Sequence, residues 1–192
     1  MEFLKEAKNN FIQSEIWMLT FGAAFQRANV YKSDLTNEQI AQKGYFKTMT
    51  IGFIESVILG QYISGEISDE EHINNIKSIS RYSSNFEEIF QNGGINFGVA
   101  QKILNLYLKY KWTLGEIQTP PHFPVDRIIQ LKLNEYVKQE GINKIPLEPW
   151  TQFEDEAHYL KVINLGRELI SKSSYFKGYK LAELELKLFQ RH

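Results

Sequence analysis

Four helix-start signals of one type recur along the chain, and they restrict it to an all-α fold. Each is a Ser or Thr followed three residues later by Glu or Gln, the pattern of a capping box. The four pairs are Thr36/Gln39, Ser68/Glu71, Ser84/Glu87 and Thr151/Glu154. Each stands at the head of a segment with helical apolar periodicity, whereas no segment alternates with period two between turn residues. The sequence therefore predicts helices throughout.

The apolar periodicity also predicts where the helices lie and how they are organised. The predicted helices cover residues 3–29, 37–64, 69–82, 85–91, 96–112, 125–139, 152–171 and 179–190. We expect one all-α domain over residues 1–192, either as a single body or as a two-lobed helical bundle with a cleft between the lobes. In the second arrangement the N- and C-terminal helices pack together as one lobe, and residues 68–140 form the other.

Composition narrows the classes of function. The chain has 192 residues, a net charge of -1 and no cysteine, which excludes disulfides, thiolate zinc sites, iron–sulfur clusters and a Cys nucleophile. The N-terminus lacks the basic and apolar regions of a signal peptide, and no apolar run reaches the length of a bilayer span. We therefore expect a cytoplasmic protein without a membrane partner. The net charge argues against a strongly basic, non-specific DNA binder, although Lys and Arg concentrate between residues 102 and 132.

The predicted helix 96–112 is apolar around most of its circumference, which is typical of a central, buried helix. Its polar strip consists of Gln101, Lys102, Asn105 and Lys109. A Lys near the head of a buried helix is costly unless its surroundings use it. A desolvated Lys can act as an amine nucleophile and form a Schiff base with a sugar aldehyde carbon. The structural alternative is a Lys whose stem packs on the core while its amine reaches solvent.

Two further elements flank this Lys. Gly93, Gly94 and Gly98 place unobstructed backbone donors before the helix, where such groups bind phosphate. Asp126 follows a proline-rich loop and falls in the first turn of the next predicted helix, where the helix dipole favours an ionised carboxylate. A carboxylate near an anomeric carbon can stabilise an oxocarbenium ion or accept a proton from the amine. The three elements together predict a covalent site for DNA repair chemistry.

The segment that carries these elements resembles the core of the helix-hairpin-helix DNA glycosylases. F-P-V-D at residues 123–126 is similar to the aspartate element of that superfamily, and A-Q-K at residues 100–102 is similar to its lysine element. The lack of cysteine resembles the branches without an iron–sulfur cluster, including the archaeal type of 8-oxoguanine DNA glycosylase/AP lyase. The resemblance implies a helix-hairpin-helix element, glycosylase activity with an AP lyase step, and no cofactor or metal.

The resemblance also implies a partner and roles for individual residues. The partner is double-stranded DNA with a flipped base, first an oxidised purine such as 8-oxoguanine and second a hypermodified base in foreign DNA, bound by a monomer. Lys102 is the expected nucleophile and Asp126 its catalytic carboxylate. The remaining candidates fall into two groups. Substrate contacts are expected from Gln101, Asn105, His122, Phe123 and Trp150, and DNA-backbone contacts from Gly93, Gly94, Gly98, Arg127 and Lys132.

Alternatives to this interpretation remain open at the level of sequence. A non-catalytic all-α interaction or regulatory module is compatible with the near-neutral charge. An all-α nuclease built on Arg followed four to six residues later by His is disfavoured, because no Arg in the chain has that spacing. Lys109 lies two helical turns beyond Lys102 on the same polar strip and is the alternative nucleophile.

Overall fold

The computed structural model describes residues 2–189 and confirms the all-α class. The described residues contain no β-strand, and their extended structure includes an isolated antiparallel bridge between Tyr31 and Phe90. The α-helices are α1 (Glu2–Phe25), α2 (Asn37–Phe53), α3 (Leu59–Ser64), α4 (Asp69–Ser83), α5 (Phe97–Thr113), α6 (Arg127–Gln139), α7 (Glu156–Lys172) and α8 (Leu181–Leu188). A π-helical turn (Ile54–Ile58) joins α2 to α3, and 3-10 segments cover Ser84–Ile89 and Trp150–Gln152.

Two of the four predicted capping boxes are confirmed. Thr36 and Gln39 exchange hydrogen bonds at the start of α2, and Ser68 and Glu71 do so at the start of α4. The pair Ser84/Glu87 is wrong, because the chain continues from α4 into a 3-10 segment without an extended residue that could act as the cap. The pair Thr151/Glu154 is also wrong. Asp155 caps α7 instead, by accepting a hydrogen bond from the backbone of Ala157 at 2.8 Å.

The ends of two predicted helices also differ from the structure. The first helix stops at Phe25 rather than at residue 29, because Arg27 and Asn29 adopt left-handed backbone conformations with φ of 64° and 45°. A helix cannot continue through such residues. The last helix ends at Leu188, whereas residue 190 of its predicted range lies outside the described part of the chain.

Helix α5 is the centre of the fold, as its apolar circumference predicted. Twelve of its residues are buried. Helices α1 and α4 pack on it, while α6, α7 and α8 pack on one another. The main packing partner of α1 is therefore α5, in contrast to the prediction that the N- and C-terminal helices pack together. Within residues 2–189, no helix has the combination of length and apolar character needed to traverse a bilayer.

Two buried side-chain amides of α6 hold the long loop that follows this helix, where regular backbone pairing is absent. Gln130 donates to the carbonyl of Glu148 at 2.9 Å and accepts from its N–H at 3.1 Å. Asn134 makes the same pair of bonds to Ile145, at 2.8 and 3.0 Å. A side-chain amide carries one donor group and one acceptor group, as a peptide does, so it can replace a missing backbone partner. Helix α6 thereby fixes the loop that leads to Trp150.

Candidate functional site

The structure brings Lys102 and Asp126 into direct contact. The Lys102 Nζ atom lies 2.6 Å from Asp126 Oδ2, and the two side chains are 7% and 20% exposed. Charge-assisted hydrogen bonds of this length are stronger than neutral ones. Since the carboxylate retains more exposure than the amine, the pair is open to solvent from the Asp126 side. An amine and a carboxylate therefore meet at a partly open position. Nucleophilic attack by an amine with proton transfer to a neighbouring carboxylate needs such an arrangement.

Asp126 is held in this position by the helix that it starts. It is the N-cap of α6 rather than a residue of the first turn, because its backbone is extended. Its Oδ1 atom accepts a hydrogen bond from the Ile129 N–H at 2.9 Å, which leaves Oδ2 for Lys102. The cap bond and the positive end of the helix dipole both favour a carboxylate. One oxygen therefore fixes the side chain while the other faces the amine.

The Lys102–Asp126 pair lines a surface pocket of about 210 Å³ to which four segments contribute. The lining residues are Ala23, Gln26, Arg27, Lys102, Asp126, Arg127, Ile128 and Trp150. Three of them are cations and one is an anion, so the lining as a whole favours a negatively charged ligand. Trp150 provides an aromatic face next to the amine, with Lys102 Nζ at 5.8 Å from its ring centroid.

Gly98 brings Trp150 to this pocket by allowing a close backbone approach. A Cβ atom on Gly98 would lie 1.8 Å from the carbonyl oxygen of Trp150, a distance that no side chain tolerates. The Gly98 N–H donates to the carbonyl of Phe153 at 2.9 Å. The structure thus gives Gly98 a role different from the expected phosphate contact, since its donor is committed to the 3-10 segment that carries Trp150.

The other two glycines of the predicted phosphate site lie in the turn before α5, away from the Lys102–Asp126 pocket. Asn96 caps α5 by accepting from the Val99 N–H at 3.0 Å, so this donor at the helix start is not free. Gly93 forms the turn with φ of 72°, which favours glycine. Gly94 packs against Ser83, where a Cβ would approach the hydroxyl to 2.7 Å. Neither glycine lines the pocket of Lys102, and Gly94 lines a separate pocket of about 400 Å³.

Four of the five expected substrate contacts lie behind the pair rather than in the pocket. Gln101, Asn105, His122 and Phe123 are each at most 1% exposed. Phe123 packs against Gly166, and the polar three belong to a buried hydrogen-bond network that includes Tyr159. A base in the pocket cannot reach them in this conformation. Trp150 is the expected substrate contact that does line the pocket.

Burial keeps His122 neutral within this network. Its Nδ1 atom lies 3.0 Å from the Tyr159 hydroxyl and its Nε2 atom 3.1 Å from Asp69 Oδ1. Desolvation, and secondly the charge of Arg167, lower the pKa of His122 to about 3. The neighbouring His72 also has a pKa well below its usual range, mainly because it is completely buried. A ligand role would need access that neither imidazole has.

The depressed pKa of His122 predicts a loss of stability in mild acid. His122 binds a proton near pH 6.5 in the unfolded chain and near pH 3 in the folded one. Its contribution to the free energy of unfolding is therefore complete above pH 6.5 and is lost as the pH falls toward 3. At pH 5 we expect a loss of roughly 2 kcal/mol relative to pH 7 from this group alone. Urea unfolding at several pH values measures it. Between pH 7 and pH 5, the free energy of unfolding of His122→Gln should fall less steeply than that of the wild type. An equally steep fall in both proteins would contradict the assignment.

Lys109, the alternative nucleophile, is engaged elsewhere. Its Nζ atom contacts both carboxylate oxygens of Glu185, at 2.9 and 2.6 Å, and lies 4.1 Å from the ring centroid of Phe189. Burial raises the pKa of Glu185, and Lys109 opposes that rise. Lys109 does not line the pocket of the Lys102–Asp126 pair. Of these two lysines, Lys102 is therefore the one that lines the pocket.

The expected backbone contacts of α6 are divided by the structure. Arg127 lines the pocket, next to Asp126. Lys132 lies outside it and pairs with Glu135 at 3.5 Å. Gln26 and Arg27 also line the pocket, although neither was predicted from the sequence. Both fall in a segment with the composition of a helix end, and no local pattern relates them to residues 75 positions or more along the chain.

Comparison with known proteins adds no assignment to this geometry. No protein-family model matches the chain, and neither a curated protein nor a solved structure is found that matches it. Function must therefore be argued from the site itself.

Proposed function

We propose that this protein is a DNA glycosylase with an associated AP lyase activity. The observation that carries the proposal is the Lys102–Asp126 pair, with an Nζ–Oδ2 distance of 2.6 Å, in the wall of a cationic pocket with an aromatic face. The resemblance of the F-P-V-D and A-Q-K segments to the helix-hairpin-helix superfamily supports the same reaction. The turn at Gly93 and Gly94 before α5 would be the hairpin, and the pocket would be the cleft between two lobes.

The proposed reaction needs an amine, a proton acceptor and a sugar carbon at one point. Asp126 accepts a proton from the Lys102 ammonium, and the freed electron pair attacks C1′ of the flipped nucleotide. The bond between C1′ and the base breaks, and the base leaves with the electron pair and takes up a proton. Opening of the sugar ring gives a Schiff base between C1′ and Lys102. Loss of a proton from C2′ then expels the 3′ phosphate, which is the lyase step.

The other pocket residues fit the binding side of this proposal. Arg27 and Arg127 line the same pocket as the reactive pair, and guanidinium groups there can bind the phosphates that flank a flipped nucleotide. Trp150 offers a face on which an extruded base can stack. The net charge of the chain is only -1, so the protein offers no general electrostatic attraction to DNA. Affinity would depend on this local patch, and the protein would bind undamaged duplex weakly.

A salt titration tests DNA binding. We expect the wild type to bind a duplex with a tetrahydrofuran abasic-site analogue more tightly than the intact duplex, with log Kd varying linearly with log salt concentration. Arg27→Ala and Arg127→Ala should each reduce the slope by about 1, because each removes roughly one phosphate contact. Lys172→Ala is the matched control, since Lys172 pairs with Glu168 on the surface of α7. The proposal would be contradicted by a wild type that binds neither duplex, or by salt slopes of Arg27→Ala and Arg127→Ala that equal the wild-type slope.

A second candidate is a non-catalytic interaction module. The observation that favours it is the apolar outer face of α1, where Phe3, Phe11 and Met18 are 83%, 65% and 60% exposed. Apolar surface of this kind often marks a protein–protein contact. This candidate does not explain why an amine and a carboxylate meet in a pocket lined by two arginines. Failure of the duplex titration would favour it.

A further inference from the structure

The loop that delivers Asp126 cannot hold itself in place by backbone hydrogen bonds. Pro120, Pro121 and Pro124 have no N–H group, so the loop lacks three of its donors. Val125 is the last residue before Asp126 and is completely buried. Its N–H and carbonyl groups therefore need partners from elsewhere in the protein, because an unpaired buried polar group is costly.

Gln101 supplies both partners. Its Nε2 atom donates to the Val125 carbonyl at 2.8 Å, and its Oε1 atom accepts from the Val125 N–H at 3.1 Å. The side chain is completely buried, so water cannot replace either bond. Gln101 precedes Lys102 on α5, as Val125 precedes Asp126 in the loop. Two consecutive residues of α5 thus bond to two consecutive residues at the end of the loop: Gln101 to Val125, and Lys102 to Asp126.

The orientation of the Gln101 amide is fixed by further buried groups. Its Oε1 atom also accepts from Asn105 Nδ2 at 3.2 Å, and the same Nδ2 lies 3.0 Å from the Tyr159 hydroxyl. A flipped amide would place an NH₂ group against the Val125 N–H and the Asn105 NH₂ group. The network therefore permits one orientation, and that orientation matches both groups of Val125.

We propose that Gln101 is a positioning residue, which sets the distance between Lys102 and Asp126 by clamping the backbone of Val125. The inference rests on the proposed function, because it concerns the geometry of that reaction. Gln101 does not line the pocket. Its loss should therefore lower the rate of Schiff-base formation while the affinity for DNA, which depends on residues in the pocket, is retained.

The experiment compares two near-isosteric substitutions. Gln101→Met removes the clamp on Val125. The control is Asn75→Leu, which removes the hydrogen bonds of a buried amide on α4 to Gln61 and Tyr62, at 2.9 and 3.3 Å, and Asn75 does not line the pocket of the pair. Both variants lose hydrogen bonds of a buried amide, so both should unfold at a lower temperature. The probe is duplex DNA with a natural abasic site, and the readouts are the rate of borohydride trapping and the Kd for the tetrahydrofuran analogue.

We expect Gln101→Met to slow trapping by about 10-fold or more with a Kd within about twofold of the wild type, and Asn75→Leu to trap at the wild-type rate. Equal trapping by Gln101→Met and wild type would overturn the positioning role, as would equal slowing by both variants. Gln101→Glu provides a second test if Gln101→Met does not fold: it keeps the acceptor for the Val125 N–H but replaces the donor to the Val125 carbonyl with an oxygen, so it should also slow trapping relative to the wild type. Absence of trapping by the wild type would instead overturn the proposed function, and this inference with it.

Discussion

Lys102→Ala is expected to abolish both the cleavage of abasic-site DNA and the borohydride-trapped adduct, to below about 1% of the wild-type level. The physical reason is that the amine is the atom that bonds to C1′, and no other group in the pocket can form an iminium. DNA affinity should remain within severalfold of the wild type, because Arg27 and Arg127 are still present. Gel separation of trapped complexes and a binding titration measure the two quantities.

The matched control for this variant is Lys109→Gln. Lys109 lies on the same helix and also pairs with a buried carboxylate, but it does not line the pocket. The Lys109→Gln variant should still form the trapped adduct, even if the variant unfolds at a lower temperature than the wild type. Trapping that survives Lys102→Ala and disappears in Lys109→Gln would transfer the nucleophile to Lys109 and contradict the present assignment.

Asp126→Asn is expected to slow base excision and Schiff-base formation by roughly 10²–10⁴-fold, the range for losing one positioned acid–base group. The substitution is informative because Asn is as good an N-cap as Asp. The amide oxygen can still accept from the Ile129 N–H, so α6 and the loop before it should be preserved. Only the negative charge and the proton acceptor facing Lys102 are removed.

Single-turnover rates and thermal unfolding together check this prediction. We expect a strongly reduced rate constant and a lower melting temperature, because the amide NH₂ group in place of Oδ2 leaves the largely buried Lys102 ammonium without its acceptor. Asp126→Ala is the comparison, since it should lose the cap as well and cost about 0.5–2 kcal/mol more. A wild-type rate in Asp126→Asn would show that the carboxylate does no more than start the helix.

Much of the fold could be predicted because the decisive signals are local. Capping at Thr36 and Ser68, and the apolar circumference of α5, depend on residues within one or two helical turns. The two wrong capping boxes show the limit of such signals. Ser84 and Thr151 have the right spacing, but tertiary packing continues one helix into a 3-10 turn and places the other start at Asp155.

The two residues of the candidate site whose local sequence is unusual could be predicted. Lys102 on a buried helix and Asp126 after a proline-rich loop both have unusual local environments in the sequence. The walls of the pocket are different. Arg27 reaches it because α1 packs on α5 and then ends in two left-handed residues, which no local pattern indicates.

The buried polar residues show why a substrate contact is harder to predict than a reactive pair. Gln101 and Asn105 share the polar strip of α5 with Lys102, so the sequence alone cannot separate side chains that face a pocket from those that hold a loop. The Val125 backbone, not a ligand, satisfies Gln101. Proline-rich loops remove backbone donors, and a buried Gln or Asn nearby is the residue type that compensates for them.

The proposed reaction requires the Lys102 amine to form a covalent bond with the sugar of DNA. The wild-type protein can be reduced with borohydride on duplex DNA that contains an abasic site, the product digested with nuclease and protease, and the modified peptide mapped by mass spectrometry. We expect a deoxyribose remnant on Lys102. A remnant on Lys109 or on another amine, or no adduct on any abasic duplex, would contradict the proposal.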